Sequence, residues 1–235
     1  MELTWLGHST TLIELDGVRL LTDPLLRDRV LHLVRSSPAT RPTSAVDAIL
    51  ISHAHGDHLD RASLRLLPRS AKLVVPKGVS RFVKWLRFDD VVEVAAGDEL
   101  RIGDVRVRVT PAEHNARAVG YVVDGTSTAY FAGDTDLFDG MADFAPHLDL
   151  AMLPISGWGP ALPEGHLNPT TAAQALALLR PRVCVPIHWG TFRPIYRRKP
   201  YESDTNAPQR FVDEARKYAP DVEIRILSPG ETCAV

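Results

Sequence analysis

The chain has 235 residues, 45% hydrophobic and 24% charged, with 27 basic against 29 acidic side chains and a formal net charge of −2; this excludes disorder as its main state and fits one globular domain over residues 1–235. The balanced charge lacks the excess of a protein that coats nucleic acid, and a chain this long buries enough surface to fold without disulfides or a structural metal. Two cysteines, Cys184 and Cys233, make no disulfide framework; with no export signal and no apolar run of about 18 residues, a cytoplasmic location without stable membrane insertion is expected.

In chain order, Leu3 to Thr22 reads as strands, with Asp16-Gly17 as the turn of a hairpin between Leu12-Ile13-Glu14-Leu15 and Val18-Arg19-Leu20-Leu21. Pro24 to Pro42 breaks the pattern: Arg27, Arg29, Arg35 and Arg41 interleave with Leu25, Leu26, Val30, Leu31, Leu33 and Val34. That predicts an inserted loop or short helix, a lid candidate over 24–44. Val46 to Ser52 reads as an apolar strand running into His53, and Arg61 to Leu67 has helical spacing. Further strands are predicted at 72–75, 91–94, 105–110, 120–123, 128–132, 148–153, 183–187 and 223–227. A helix starts at the N-cap Asn168 with Pro169 in first position and Ala172, Leu176 and Leu179 along one face. Another spans 208–218 and is expected to turn Phe211, Val212, Ala215 and Tyr218 inward. Strands in both halves, each set followed by helices, predict an α/β architecture of two packed sheets with helices outside.

The segment Ser52-His53-Ala54-His55-Gly56-Asp57-His58 puts four potential ligands at the end of a buried strand. A chance HxHxDH in a chain of this composition has a probability of about one in a thousand. In extended chain, His53 and His55 project to one side, and Gly56 permits a turn that returns Asp57 and His58 to a neighbouring position, so two adjacent ions become feasible. Imidazole and carboxylate suit zinc, manganese or iron, and no thiolate lies near the motif. His114, Asp134 and His188 also follow predicted strands; singly each fits a turn or capping residue, but ligand chemistry repeated at four strand ends favours a metal site. Asp134, after Gly133, can offer both oxygens to two ions.

The HxHxDH motif, followed by His114, Gly133-Asp134 and His188, resembles the metallo-β-lactamase superfamily over essentially the whole chain. The resemblance implies a four-layer αββα sandwich with its ligands at one edge of both sheets. It further implies a first metal on His53, His55 and His114, a second on Asp57, His58 and His188, and Asp134 bridging them. The phrases Trp5-Leu6-Gly7-His8-Ser9-Thr10, Phe131-Ala132-Gly133-Asp134-Thr135 and Ile187-His188-Trp189-Gly190-Thr191-Phe192 look like the branch of N-acyl-phosphatidylethanolamine phospholipase D, with ascorbate-6-phosphate lactonase more distant. Against the family pattern, the chain opens directly at its first strand, so no membrane-docking extension is expected. It has no long nucleic-acid-clamping insertion, and Asp134 stands where class B1 lactamases use cysteine. Nuclease and true lactamase readings fall accordingly.

Two divalent cations about 3.5 to 4 Å apart, zinc first and manganese or iron as alternatives, would lower the pKa of a bridging water and stabilise a developing oxyanion. The expected activity is binuclear hydrolysis of a small anionic ester, a phosphodiester above all, by that bridging hydroxide. Asp57 is expected to orient the hydroxide and take its proton, while His8 and His166, each after a glycine, are candidates for donation to substrate. The phosphate preference rests on the helix N-terminus beside His166 and on Arg193, Arg197, Arg198 and Lys199. Lactone hydrolysis on the same site, a non-hydrolytic metal-binding sensor or assembly protein, and iron-dependent oxygen or sulfur chemistry are the alternatives. No nucleic-acid partner is expected, and the sequence implies no oligomeric state.

Overall fold

The fold is described from a computed structural model covering residues 1–42 and 45–235. Its first half contains strands β1 (Glu2–Gly7), β2 (Thr10–Leu15), β3 (Val18–Thr22), β4 (Arg29–Val30), β5 (Leu33–Arg35), β6 (Ala48–Leu50), β7 (Lys72–Pro76), β8 (Val91–Val94) and β9 (Glu99–Ile102), with helices α1 (Arg61–Leu64) and α2 (Ser80–Val83). Then come β10 (Val105–Pro111), β11 (Val119–Asp124), β12 (Thr128–Phe131), β13 (Leu148–Pro154), α3 (Pro169–Leu179), β14 (Pro181–Ile187), β15 (Phe192–Pro194), α4 (Glu202–Thr205), α5 (Ala207–Tyr218), β16 (Glu223–Ile224) and β17 (Thr232–Ala234).

Two seven-stranded sheets result, ordered β17-β1-β2-β3-β6-β7-β8 and β16-β14-β13-β12-β11-β10-β9. Strict alternation of side chains explains why they stack. Leu3, Trp5, Ile13, Leu15, Leu20, Ala48 and Leu50 of the first sheet face Val105, Val107, Tyr121, Phe131, Leu150, Met152, Val183 and Val185 of the second in one dry core. Their sequence neighbours point outward: Leu12, Leu21, Ile49, Leu73 and Val75 pack with Leu64 of α1 and Val83 of α2. Tyr130, Ala151, Leu153 and Cys184 pack with Ala172, Leu176 and Leu179 of α3 and Phe211 and Ala215 of α5. Helix, sheet, sheet, helix is thus dictated by period-2 patterning that is apolar on both faces, and the fold is the metallo-β-lactamase sandwich.

β3, β6, β7 and β8 run parallel, as do β12, β13, β14 and β16. Their C-terminal ends therefore gather at one edge of the sandwich, which is the edge that carries the site. Asn168 caps α3 as the sequence predicts: its side chain accepts from the amides of Thr170 and Thr171 while its own amide donates to the Thr171 hydroxyl.

Two expectations are corrected. Segment 24–44 is neither a plain loop nor a helix: β4 and β5 form a hairpin and β5 pairs with β15 in a small third sheet. The apolar residues alternate through Val30 and Leu33, which pack with Leu25, Phe192 and Trp158. The last two positions of that segment, 43 and 44, lie outside the described residues. On α5, Phe211 and Ala215 are buried but Tyr218 is 42% exposed and Val212 only partly covered, because they lie off the stripe that meets α3. Among the described residues, no helix is long and apolar enough to cross a membrane.

Candidate metal centre

Every predicted ligand follows a strand: His53 after β6, His114 after β10, Asp134 after β12 and His188 after β14. The turn that opens the HxHxDH segment brings His55, Asp57 and His58 over the same edge. His53 Nε2 lies 3.0 Å from His55 Nδ1, which lies 3.2 Å from His114 Nε2. A second cluster joins Asp57, His58 and His188 with His8; His58 Nε2 and His188 Nε2 are 3.2 Å apart. Asp134 stands between them, its Oδ2 3.1 Å from His58 Nε2 and 3.9 Å from His53 Nε2, its Oδ1 3.4 Å from His188 Nε2.

The outer ring nitrogens explain what the inner ones can do. His58 Nδ1 faces Asp23 Oδ2 at 2.8 Å, His114 Nδ1 faces Gly165 O at 2.8 Å, and His188 Nδ1 faces Ser156 O at 2.7 Å. Carboxylate and carbonyl oxygens only accept, so these Nδ1 atoms carry the protons and the Nε2 lone pairs point inward. With both rings neutral, His58 Nε2 and His188 Nε2 oppose lone pair to lone pair, a contact that calls for a cation between them, a proton or a metal ion. Asp134 Oδ1 is buried and has no hydrogen-bond partner. Bare imidazole nitrogens around an unpaired buried carboxylate oxygen are a donor set that fits divalent ions.

The electrostatics agree. Burial opposes ionisation of Asp57 and Asp134, yet the imidazoles of His58, His8 and His188 hold Asp57, and those of His188, His58 and His166 hold Asp134, well below the usual carboxylate range. Burial also disfavours charge on His58, but Asp134 and Asp57 hold its pKa well above the ordinary imidazole value. A field that favours a proton here equally favours a metal cation. His53, His55 and His114 are pushed down mainly by burial, His53 most.

A recess of about 360 Å³ opens over the cluster, lined among others by His55, Asp57, Asp134, Trp158, His166 and His188. His166 faces it as expected: its Nε2 sits 3.3 Å from Asp134 Oδ2 and its Nδ1 3.1 Å from Pro163 O. Asp134 and these carbonyls raise the His166 pKa against the effect of burial.

His8 departs from the sequence expectation. It is 2% exposed and does not line the recess; its Nε2 is 3.3 Å from Asp57 Oδ2, and its ring lies 3.9 Å from that of His188, tilted by 36°. Burial, then His188, lowers its pKa to about 3. The turn after Gly7 tucks it under the cluster, against Asp57 and His188.

Both features cited for phosphate are also corrected. The α3 terminus has no free amide to offer, since Thr170 and Thr171 donate to Asn168 Oδ1, Ala172 donates to Asn168 O and Pro169 has no N–H. The basic residues after His188 fold onto their own loop: Arg193 donates to Arg197 O, and Arg197 stacks 4.0 Å over the Tyr201 ring. None of the four, Arg198 and Lys199 included, lines the recess.

Sequence reasoning missed Asp23, Ser156 and Trp158. Asp23 holds His58 and Ser52, and Trp158 Nε1 donates to Asp57 Oδ2 at 3.0 Å. Asp23 follows β3 as Asp134 follows β12, so the strand-end criterion extended to every acid would have found it. A larger recess, about 560 Å³, lies at the opposite edge beside Leu148, Arg180 and Tyr218 and contains none of these residues.

A family profile described as a β-lactamase superfamily domain matches residues 18–189, a span that takes in every predicted ligand. The chain belongs to that superfamily. A UPF0173 metal-dependent hydrolase of Methanopyrus kandleri is 32% identical over 99% of both chains, and one of Opitutus terrae is 34% identical over the whole of both. Among solved structures, the metallo hydrolase Igni18 of Ignicoccus hospitalis superposes with a TM-score of 0.76 at 25% identity, covering 99% of this chain and 97% of that one. This superfamily member is a metal-dependent hydrolase, and its cluster of histidines and aspartates could hold the metal such an enzyme requires.

Proposed function

We propose that the protein is a binuclear hydrolase of small anionic esters, phosphodiesters first, in the branch of N-acyl-phosphatidylethanolamine phospholipase D and ascorbate-6-phosphate lactonase. The observation that supports it is Asp134, which lies within 4 Å of nitrogens from both ligand clusters beneath one recess. His53, His55 and His114 would hold one divalent ion, Asp57, His58 and His188 the other, with Asp134 shared; zinc is the first candidate, then manganese or iron. Bound there, the pair would supply an activated water and neutralise charge that develops on the reacting ester.

The chain's own groups have separable tasks. Asp57 Oδ2 is fixed by the Trp158 indole N–H and faces His8, so the carboxylate is aimed and ionised, ready to accept a proton from water in the recess. His166, at the wall opposite, is the donor to a substrate oxygen or leaving group. Trp158, packed against the β4–β5 hairpin through Leu25, Val30 and Leu33, limits water over Asp57.

Lactone hydrolysis is the second reading, and a specific observation favours it: among the described residues, no lysine or arginine lines the recess, whose walls are otherwise Gly56, Asn115, Gly157, Gly159, Ala161 and Pro163. An uncharged acyl group fits those walls as well as a phosphodiester does. Metal content and a paired assay test both readings. Two ions per chain and turnover of a bis-aryl phosphate are expected. At most one ion after zinc and manganese titration defeats the binuclear site. Opening of simple lactones with the phosphate untouched replaces the phosphodiester by the lactone.

A further inference from the structure

A second recess, about 320 Å³, lies beside the catalytic one and is lined by Lys77, Arg81 and Arg117 with Ala54, Phe82 and Ala116. No acidic residue lines it, and none of the three cations enters an ion pair among the described residues. Arg117 Nη1 has only a 3.5 Å approach to Lys77 O, and Arg81 lies 4.7 Å over the Phe82 ring. Glu93, which feels Lys77, is held by the Ser80 hydroxyl and by the backbone amides of Gly78 and Ser80, the latter at 3.0 Å. Gly78, at φ +86°, makes room for the cluster, since a Cβ there would stand 3.3 Å from Arg117 Nη1. Three cations around one concavity repel each other unless an anion joins them.

Its position relative to the metal ligands gives this cluster a use. Ala54 sits between His53 and His55, and His55 lines the catalytic recess while Ala54 lines the basic one. Asn115 lines the catalytic recess while Ala116 and Arg117 line the basic one. Consecutive residues, about 3.8 Å apart between α-carbons, thus form a shared wall in two separate segments. The positive recess is therefore the immediate neighbour of the one that holds Asp57 and His166.

Resting on the hydrolase reading above, we propose that Lys77, Arg81 and Arg117 form a subsite for a remote anionic group, a phosphate or carboxylate, of the ester cleaved at the metal centre. The volume is at the lower limit of small-molecule sites, which suits one compact headgroup. This subsite supplies the charge recognition that the catalytic recess lacks, and it makes the physiological substrate an ester with a second anion.

Three aryl esters with one leaving group test this, their acyl chains ending in a carboxylate, a phosphate or a neutral amide. The metal-loaded wild type is expected to favour at least one anionic ester over the amide about tenfold or more in kcat/KM, chiefly through KM. Which one it favours identifies the headgroup. In the Lys77→Gln, Arg81→Gln, Arg117→Gln variant the preference should fall to about twofold or less. A control variant, Arg198→Gln, Lys199→Gln, Arg210→Gln, removes equal charge from residues that line neither recess and should keep it. An unchanged preference in the first variant, or equal loss in both, overturns the proposal. If neither these esters nor the bis-aryl phosphate is turned over, the hydrolase reading fails separately, and inorganic phosphate decides the subsite. A larger phosphate-induced rise in melting temperature for wild type than for the recess variant supports it; equal rises overturn it.

Discussion

Asp23 offers the sharpest test of how the ligand cluster is held. Its carboxylate is completely buried; Oδ1 accepts from the Ser52 amide at 2.7 Å, and Oδ2 meets the Ser52 hydroxyl at 2.5 Å and His58 Nδ1 at 2.8 Å. Asp23→Asn conserves the volume but replaces one acceptor by an NH₂ donor. If the amide oxygen stays on Ser52, the new donor faces His58 Nδ1–H. The imidazole then relieves the clash by moving its proton to Nε2, into the position an ion needs. Removing such an orienting partner typically costs 10- to 100-fold in metal affinity, about 1.4 to 2.7 kcal/mol. The expected value is at the upper end, because the change opposes two donors as well as deleting a bond. Competition against a chromophoric zinc chelator measures it, and a double-mutant cycle with His58→Ala tests the route. In that background Asp23→Asn should add about threefold or less. Wild-type affinity in the single variant, or an undiminished effect without His58, would refute the argument.

His166→Ala should slow turnover by about 10²- to 10⁴-fold and keep both ions, whereas His188→Ala should lose affinity for one; metal titration beside kinetics separates them. Gly133→Ala places a Cβ 2.5 Å from Ser52 Cβ at φ +61°, so a stability loss of about 2 kcal/mol or more and weaker metal binding are expected from denaturant melts and chelator competition. Burial pushes the Asp204 carboxyl from 3.8 up to about 7; the folded state keeps its proton where the unfolded state has lost it, so stability falls as pH rises from about 4 to about 7, by up to roughly 4 kcal/mol. Asp204→Asn should abolish that decline, and urea melts at pH 5 and pH 8 that fall equally in both proteins would contradict it.

That the candidate ligands converge was legible in the sequence because the strands they follow announce themselves by apolar alternation. The same alternation located most strands within a residue or two, and Asn168-Pro169 located α3. What failed shares one physical cause. β4 and β5 are two and three residues long, too short for periodicity, and are completed by β15, more than 150 residues away, which pairs with β5 on the side away from β4. The arginines after His188 read as an anion site because sequence shows charge but not direction; the chain turns them onto their own carbonyls and Tyr201. Lys77, Arg81 and Arg117 went unnoticed as a set because two turns from different sheets bring them together.

The same limitation conceals what makes the site rigid. His8, Asp23 and His188 all adopt left-handed backbone, with φ of 54°, 31° and 62°, a conformation that costs non-glycine residues about 1 kcal/mol or more each. Such strain persists only where surrounding contacts enforce it, and these run between the two sheets. The His188 amide donates to His8 O at 2.9 Å, the Trp5 indole N–H reaches that same oxygen at 2.9 Å, and the His8 amide donates to the Thr191 hydroxyl at 2.7 Å. Further along the edge, the Val119 amide donates to Ser52 O at 3.0 Å and the buried Tyr121 hydroxyl to Ile51 O at 2.6 Å. The sheets are therefore stitched at the edge that presents the ligands, by bonds that involve no metal-facing atom. Those bonds hold the two sheets together at this edge without drawing on the inward-facing nitrogens. Metal removal is accordingly expected to lower the melting temperature yet leave the sandwich folded; loss of cooperative unfolding in chelator-treated protein would show that the ions, and not these bonds, hold the edge.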